Sequence, residues 1–379
     1  MRQGLLWLHK YTGLVLGLLL AITGLSGSLV VFDRELDEWL APATVPIAPA
    51  ATPASLDLAL SNAVAAVGNG TAPTRIALGR HAGAPHIVRF PTVPGTTGPL
   101  EVSIDPGSAE VLAVRTWGQY PVTWIYHLHL SFLGGATGEL VVGLLGFLLL
   151  FFSLSGLYLW WPKPGRWRQA LTLRRGRGLF LLNYDLHKTA GIYFLPVYIV
   201  LAFSGINLVF HEPVERLVGA LLPVQEPPAP LSGTARGQPL TVDAAAQIAR
   251  EQFPGSRLNR VYLPASAEAS YSITLIQPEE PWNEYGATVV WVDQYSGTVL
   301  ATWDALNIPA GNTVLEWLFP LHNGDALGLP GRILVFIAGL LPALLFGTGV
   351  YMWWRKRRGR NQSRAEERAR MSRPTVISR

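Results

Sequence analysis

Four stretches of this chain run for about 20 residues without a charged side chain, which is the length a helix needs to cross about 30 Å of hydrocarbon. They occupy 13–32, 140–161, 189–210 and 333–354. The composition agrees, with 49% hydrophobic and 15% charged residues and a mean hydropathy of +0.27. The first stretch is also longer than the apolar part of a usual signal peptide. The sequence therefore predicts an integral membrane protein with four retained transmembrane helices.

The distribution of basic residues predicts the orientation of these helices, because short cytoplasmic loops keep Lys and Arg. The loop PKPGRWRQALTLRRGRG has six basic residues and no acidic one, whereas 33–137 and 212–329 have eight and thirteen acidic residues against five basic ones each. Both termini are therefore expected in the cytoplasm. The expected organisation is transmembrane helices at 1–32, 138–162, 186–211 and 330–354, exterior domains at 33–137 and 212–329, a basic cytoplasmic loop at 163–185 and a basic cytoplasmic tail at 355–379.

The lack of cysteine and the distribution of charge limit the functional classes. The chain has no cysteine, which excludes disulfides, thiolate-bound metals, covalently attached c-type haem and iron–sulfur clusters. Its net charge of +5 is accounted for by the basic cytoplasmic segments, so no nucleic-acid partner is expected.

The chain also resembles itself. The stretch LHKYTGLVLGLLLAITGLSGSLVVF, which starts at residue 8, aligns without gaps with LHKTAGIYFLPVYIVLAFSGINLVF, which starts at residue 186. The segments that begin at Trp124 and Trp317 align in the same way, and IDPGSAEVLA in the first exterior segment matches VDQYSGTVLA in the second. The aligned pairs are His9 with His187, Lys10 with Lys188, Gly13 with Gly191, Ser26 with Ser204, Gly27 with Gly205, His129 with His322, and Gly156 with Gly349. We therefore expect two parallel repeats related by a pseudo-two-fold axis along the membrane normal.

Such an axis places paired histidines at equal depths. His9 and His187 are expected to face each other near the cytoplasmic side, and His129 and His322 near the exterior side. Neutral imidazole is a good ligand for iron, so the pattern predicts two haem groups, one near each membrane surface, with these four residues as axial ligands. Gly13 and Gly191 lie one helical turn beyond a histidine and leave room for a flat macrocycle. Lys10 and Lys188 are candidate partners for haem propionates, or ordinary snorkelling side chains.

Two other histidines remain alternatives for the exterior haem. His127 lies two residues before His129, and its aligned partner is Pro320. His211 follows the third span, and its aligned partner is Asp33. His81 and His86 occur in a polar exterior stretch and are expected at the solvated surface.

Each exterior segment is predicted to be a small α+β domain. A short helical pattern, LDLALSNAVAAV or VDAAAQIAREQF, is followed by strand-like runs such as HIVRF, LEVSIDP, YSITLIQ and ATVVWVDQYSG. A helix packed on an antiparallel sheet is expected in both, with the aspartates of the repeated motif in structural turns.

The HKxxG helix start, the LH before a glycine-rich span, the closing Gly-x-Tyr-x-Trp-Trp and the exterior VDxxxGxVL strand together resemble the PepSY-associated transmembrane family. The resemblance covers nearly the whole chain except the basic tail. It implies a bacterial inner-membrane protein with two periplasmic PepSY-like domains and two b-type haems, which reduces ferric siderophores in iron uptake. It also implies that His9 and His187 bind the cytoplasmic-side haem, and His129 and His322 the periplasmic-side haem. Some members carry a flavin reductase domain after the last span, which 355–379 is too short to form.

The resulting hypothesis is a haem-dependent oxidoreductase that takes electrons from a cytoplasmic reductase or quinol, because the sequence contains no dinucleotide-binding fingerprint. Candidate substrate contacts, or interface anchors, are Trp124, Tyr126, Trp317 and Asn323. Two alternatives are a non-enzymatic PepSY-type binding or regulatory protein and a transporter. The transporter is disfavoured because the spans lack a charged residue to bind a coupling ion.

Overall fold

The computed structural model describes residues 1–46, 52–68, 70–96, 98–174, 176–233, 237–280 and 284–371. Its twelve α-helices within these residues are α1 (Arg2–Val30), α2 (Asp33–Leu40), α3 (Leu56–Val67), α4 (Pro121–Ser131), α5 (Gly135–Trp160), α6 (Trp167–Leu171), α7 (Leu179–Tyr193), α8 (Leu195–Val209), α9 (His211–Gly219), α10 (Val242–Gln252), α11 (Ala310–Asn323) and α12 (Gly328–Met371). Short 3₁₀ turns occupy Pro42–Thr44 and Asp325–Leu327.

Three helices, α1, α5 and α12, are each long and apolar enough to cross a membrane by themselves. The pair α7 and α8 would make a fourth span, but the two helices meet at an angle of 60°. The third predicted span, 186–211, is therefore divided between two helices in the structure. Pro196 lies in the first turn of α8, where a proline is tolerated, but it could not continue α7 because its ring excludes the carbonyl one turn earlier. The backbone accordingly leaves the helix at Phe194.

Each span of the first half of the chain packs against a span of the second half. Helix α1 lies along α12, where the Ser28 hydroxyl donates to the Phe336 carbonyl at 2.8 Å, and a side chain at Gly24 would collide with the Gly339 carbonyl. Helix α5 lies along α8, where a Cβ at Gly146 would come within 2.8 Å of Ile206. Small residues permit these close approaches, as is usual where helices meet in a membrane.

The strands that the structure describes form one antiparallel sheet. Its strands are β1 (Arg75–Ala77), β2 (His86–Thr92), β3 (Pro99–Ile104), β4 (Val111–Thr116), β5 (Arg257–Tyr262), β6 (Tyr271–Ile276), β7 (Thr288–Val292) and β8 (Val299–Trp303). Their order is β4-β3-β2-β1-β5-β6-β7-β8. Each exterior segment thus contributes four consecutive strands, and β1 pairs with β5 in the middle, with Ile76 opposite Val261. The helix-on-sheet prediction is confirmed, but the two predicted domains share one sheet and one core.

Helices α3 and α10 cover one face of the sheet. Residues such as Ala63, Phe90, Ala245 and Ile273 are fully or almost fully buried in the single core that results. The N-termini of the two helices also cap each other. The Asp243 carboxylate accepts from the Leu56 N–H at 3.0 Å, and the Asp57 carboxylate accepts from the Val242 N–H at 2.9 Å. The two halves are therefore joined by helix caps as well as by strand pairing.

The aspartates of the repeated motif lie in turns, as predicted. Asp105 accepts from the Gly107 N–H at 2.7 Å, and Asp293 accepts from the Tyr295 N–H at 2.9 Å. Their aligned positions thus make the same structural contact.

Candidate functional site formed by paired histidines

The sheet end of the helix bundle brings His129 and His322 together. His129 lies near the end of α4 and His322 near the end of α11, the two short helices that connect the sheet to α5 and α12. Their ring centroids are 6.3 Å apart, with 49° between the ring planes. The predicted pairing of these two residues is therefore seen directly in the structure.

Hydrogen bonds determine which nitrogen of each ring carries the proton. His129 Nδ1 lies 2.9 Å from the Thr23 carbonyl, which can only accept, so Nδ1 is the donor. His322 Nδ1 lies 2.8 Å from Ser204 Oγ. The serine proton is already directed to the Val200 carbonyl at 2.7 Å, so Ser204 also accepts from the ring. Both histidines therefore keep an Nε2 lone pair available to a metal.

The opposite end of the bundle, which carries the chain termini, holds the second pair by the same means. His9 Nδ1 lies 2.7 Å from Ser155 Oγ on α5, and His187 Nδ1 lies 2.8 Å from Thr348 Oγ1 on α12. Thr348 donates its own proton to the Leu344 carbonyl at 2.7 Å and accepts from the ring. His9 and His187 lie close enough to each other to interact electrostatically. Ser155 and Thr348 occupy aligned positions, so each half supports its histidine in the same way.

Glycines leave room for all four rings. A Cβ added at Gly27 would lie 2.7 Å from His129 Cε1, and one added at Gly205 would lie 3.3 Å from His322 Cε1. Similarly, a Cβ at Gly156 or Gly349 would lie 3.8 Å from Cε1 of His9 or His187. From the sequence, Gly13 and Gly191 were instead the glycines predicted to leave room, in their case for a flat macrocycle. The signal for the glycines that contact the rings was present in the alignment, since Gly27 pairs with Gly205 and Gly156 with Gly349.

Gly13 and Gly191 have different surroundings. A Cβ at Gly13 would touch the Phe152 ring at 3.8 Å, whereas one at Gly191 would meet nothing within 4 Å. Their role beside a macrocycle stays a prediction.

The two candidate lysines also differ. The Lys10 ammonium lies 4.0 Å from the centre of the Tyr11 ring. The Lys188 ammonium is 3.1 Å from the Asp185 carboxylate and 2.6 Å from the Gln169 carbonyl. Asp185, which sequence reasoning missed, is fully buried and also binds Arg174 at 2.7 Å. The charge of Lys188 is therefore balanced within the protein.

The other histidines lie apart from the two pairs. The ring of His127 packs edge-on against Trp117 at 6.4 Å, and its buried Nε2 has no hydrogen-bond partner among the described residues. The side chain of His211 is 62% exposed and lies 3.7 Å from Glu215. His81 is exposed, but His86 is 8% exposed, so its predicted surface position is wrong. His86 Nδ1 accepts from the Gly79 N–H at 2.9 Å, and burial lowers its pKa to about 4.

The four candidate substrate contacts divide into two groups. Trp124 and Trp317 are 47% and 38% exposed. Tyr126 packs on Trp117, with ring centroids 5.4 Å apart, and burial raises its pKa to about 12. The Asn323 side chain accepts from the Asp325 N–H at 2.9 Å and so has a structural role at the end of α11.

Two acidic residues near the sheet end were missed because nothing in the sequence distinguishes them from surface acids. Glu316 lies on α11, six residues before His322, and accepts from Trp303 Nε1 at 3.3 Å. Burial raises its pKa to about 7. Asp33 begins α2, and burial raises its pKa to about 6. Both carboxyl groups are therefore harder to ionise than an ordinary surface acid.

The two imidazoles of each pair could serve as ligands to a haem iron. No group of three or more His, Asp or Glu side chains that could hold a metal ion occurs among the described residues. A haem would need two ligands from the protein, which the two imidazoles of a pair could supply. Since imidazole nitrogens bind first-row metals at about 2.0–2.1 Å, two rings on opposite sides of one metal have centroids roughly 6.4 Å apart. The observed 6.3 Å between His129 and His322 matches this arrangement.

Comparison with known proteins identifies the family of this chain. A family model described as the PepSY-associated TM region matches residues 6–356. The chain belongs to this family. The matched region of this PepSY-associated protein contains all four paired histidines, the sheet and the apolar helices, which makes it a membrane protein.

A curated relative adds little about activity. The uncharacterized protein PA4219 of Pseudomonas aeruginosa is 38% identical over 81 residues, which is 21% of this chain. The alignment spans 20% of the relative's length.

Proposed function

We propose that this PepSY-associated protein is a di-haem b oxidoreductase of the bacterial inner membrane, which passes electrons to a periplasmic ferric siderophore and releases iron as Fe(II). The observation that carries the proposal is the histidine geometry. Each of the four rings is held through Nδ1 by an oxygen of a neighbouring helix, and His129 and His322 are spaced as two ligands of one metal.

The protein's own contribution would be ligation and orientation. His129 and His322 would hold one haem, and His9 and His187 the other, while the Nδ1 hydrogen bonds keep the rings neutral and correctly turned. When bound, the haems supply one-electron chemistry. Along α1, His9 and the Gly27 that accommodates His129 are 18 residues apart, or about 27 Å at 1.5 Å per residue. The two pairs would therefore lie near opposite surfaces of one bilayer.

The proposed orientation rests on the basic loop and tail, which favour cytoplasmic termini and a periplasmic sheet. Each electron reduces one Fe(III) of the chelate to Fe(II) and oxidises the donor by one electron. Hard oxygen ligands hold Fe(II) much less tightly than Fe(III), so reduction releases the iron. The proposed donor is a cytoplasmic reductase or a quinol, consistent with the lack of a dinucleotide-binding fingerprint in the sequence.

A reduced-minus-oxidised visible spectrum of the purified full chain, with haem quantified per chain, tests the proposal. The expected result is about two haems with b-type bands. His9→Ala or His187→Ala should remove one population and His129→Ala or His322→Ala the other, whereas His81→Ala, at an exposed histidine, should remove neither. A haem-free wild-type protein would overturn the proposal in favour of a PepSY-type binding role. Loss of the sheet-end haem in His211→Ala instead would overturn the assignment of that pair.

A further inference from the structure

The sheet face opposite α3 and α10 carries a continuous row of polar side chains. The strand register places Arg89 of β2 opposite Arg75 of β1, and Arg75 opposite Tyr262 of β5. The row continues outward through Glu101 of β3, which is opposite Arg89. Arg260 lies two residues before Tyr262 on β5 and therefore on the same face. Three arginines thus converge at the centre of the sheet, where the two halves of the chain join.

These arginines differ in how their charge is balanced. Arg89 forms an ion pair with Glu101. Arg75 and Arg260 have no carboxylate within ion-pair distance among the described residues, and both direct a guanidinium NH to the Tyr262 hydroxyl, at 3.4 and 3.0 Å. The buried Nε of Arg260 also has no hydrogen-bond partner among the residues that the structure describes. The centre of the row therefore carries two positive charges that no neighbouring carboxylate neutralises.

Other arginines at this end of the molecule form ion pairs with carboxylates. Arg34 binds Glu284 at 3.2 Å, and Arg115 binds Asp37 at 2.7 Å. Arg80 and Arg332 bind Glu35, at 2.9 and 2.8 Å. Arg75 and Arg260 depart from this pattern although both are partly buried, and like charges gathered at low dielectric are unfavourable without a counter-charge.

Aromatic side chains connect the row to the histidine pair below it. Arg89 stacks over Trp117 at 5.0 Å, and Trp117 packs on Tyr126 at 5.4 Å. Tyr126 is three residues before His129, which places it one helical turn away on the same face of α4.

The second half of the chain contains an equivalent series of aromatic contacts. Arg260 stacks over Tyr285 at 5.4 Å, and Tyr285 packs on Phe319 at 5.9 Å. Phe319 is three residues before His322 on α11. The arginine row therefore lies across the sheet-end site, with one aromatic connection to each histidine helix.

The charge environment supports an anionic ligand. Burial alone would raise the pKa of Tyr262, but the adjacent Arg260 and Arg75 guanidiniums lower it below its ordinary value. Guanidinium groups bind carboxylates and similar planar oxygen anions through two parallel hydrogen bonds. Two arginines without a carboxylate partner, beside a third, are suited to a ligand with several such groups.

We propose that Arg75, Arg89 and Arg260 form the binding site for the oxygen anions of the ferric chelate, so that the protein selects negatively charged chelates over neutral or cationic ones. The inference rests on the proposed function, which it extends to a substrate class. The propionates of the sheet-end haem carry the same carboxylate chemistry, and the experiment must separate the two sources.

The test is equilibrium dialysis of the full chain in detergent against ferric citrate, an anionic chelate, and ferrioxamine B, a cationic one. Ferric citrate should bind more tightly, and Arg75→Gln and Arg260→Gln should each weaken its binding about tenfold or more. Arg260→Lys, which keeps the charge, should retain more affinity than Arg260→Gln. Arg250→Gln on α10, at an exposed arginine beyond the other face of the sheet, should bind like wild type.

Each alternative outcome decides the question. Unchanged ferric citrate affinity in both glutamine variants would overturn the proposal. So would a loss of haem, or a shifted haem potential, in those variants with chelate binding intact, because the row would then bind propionates. If the protein proves to be haem-free but binds ferric citrate through these arginines, the anion site stands and the proposed reductase function fails.

Discussion

At the scale of single residues, what sets the four paired histidines apart is the support of their rings. Each Nδ1 is fixed by an oxygen from an adjacent helix. The alignment predicted which histidines would pair, because equivalent positions in parallel repeats lie at equal depth. It could not identify the supporting hydroxyls, because serine and threonine in apolar helices commonly bond to their own helix backbone. Ser153 and Ser155 both do so, but Ser155 also binds His9.

Replacing one supporting hydroxyl should weaken the binding of one of the two proposed haems. In Ser155→Ala, His9 loses the hydrogen-bond partner of its Nδ1, and loss of such a partner typically weakens metal binding about 10–100-fold. Haem per chain would be quantified, and the midpoint potential of the haem proposed at His9 and His187 would be measured by redox titration. Ser153→Ala is the matched control on the same helix and should leave both values unchanged. Equal effects of the two substitutions would contradict a specific role for Ser155.

Adding a methyl group at Gly27 should displace the His129 ring, because its Cβ would lie 2.7 Å from Cε1. Overpacking of this kind costs about 1–3 kcal/mol. Gly27→Ala should therefore lower occupancy of the sheet-end haem, measured as haem per chain, while the other haem remains. Gly205→Ala should act more weakly, since its contact would be 3.3 Å. Gly347→Ala, where the added Cβ meets nothing within 4 Å, is the control. Selective loss of the other haem would contradict the assignment.

The buried His86 should make the sheet sensitive to acid. Its pKa is about 4 in the folded protein against 6.5 normally, so between these values the unfolded chain binds a proton that the folded chain does not. Its stabilising contribution is complete above pH 6.5 and falls as the pH drops toward 4, by at most about 3 kcal/mol. Thermal unfolding followed by tryptophan fluorescence at pH 7 and 4.5 should show this loss in wild type and in His81→Gln. His86→Gln should lose less stability between pH 7 and 4.5. If its pH profile were the same as that of wild type, the assignment of the acid sensitivity to His86 would be refuted.

At the scale of secondary-structure elements, prediction succeeded where the hydrophobic pattern was long and failed where tertiary contacts decide. Helices α1, α5 and α12 agree with the predicted spans because about 20 apolar residues leave few alternatives. The break between α7 and α8 was missed because the stretch has no charge, although Pro196 was a local signal. The pairing of β1 with β5 had no such signal, since strand partners so far apart in sequence are chosen by packing of the whole domain.

The reciprocal caps of α3 and α10 should contribute measurably to the stability of the sheet. Asp243→Asn removes the charge facing the N-terminus of α3, and loss of a cap costs about 0.5–2 kcal/mol. The effect should appear as a lower midpoint of thermal unfolding at pH 7, with Glu110→Gln, at an exposed turn residue, as the control.

The pH dependence provides a second check on the caps. Burial opposes ionisation of Asp243, but hydrogen bonds from Ser55, Leu56 and Asp57 keep its pKa below the usual value. The stabilisation is therefore present above about pH 4, the unfolded value, and is lost as the pH falls through the lower folded value. Asp243→Asn should show a weaker loss of stability on acidification than wild type, and an equal loss would argue against the cap.

At the scale of the whole molecule, the two halves of the chain are not separate units placed side by side. The sheet crosses from one half to the other at β1 and β5, with α3 and α10 buried in one core. The sequence predicted two exterior domains because each segment contains a full helix-and-strand pattern. It could not show that their strands join, nor that the central arginines would face the histidine helices, because both follow from the register of a sheet that only the folded chain defines.

The packing of α1 on α12 and of α5 on α8 has a consequence for biosynthesis. Helix α1 is synthesised before α12, and the surface of α12 that covers it arrives more than 300 residues later. Until then, Gly24 and Ser28 face lipid or an insertion factor instead of Gly339 and Phe336. The seam of the sheet requires β5 and the helix bundle requires α12, so the bundle can be completed only after α12 has been synthesised.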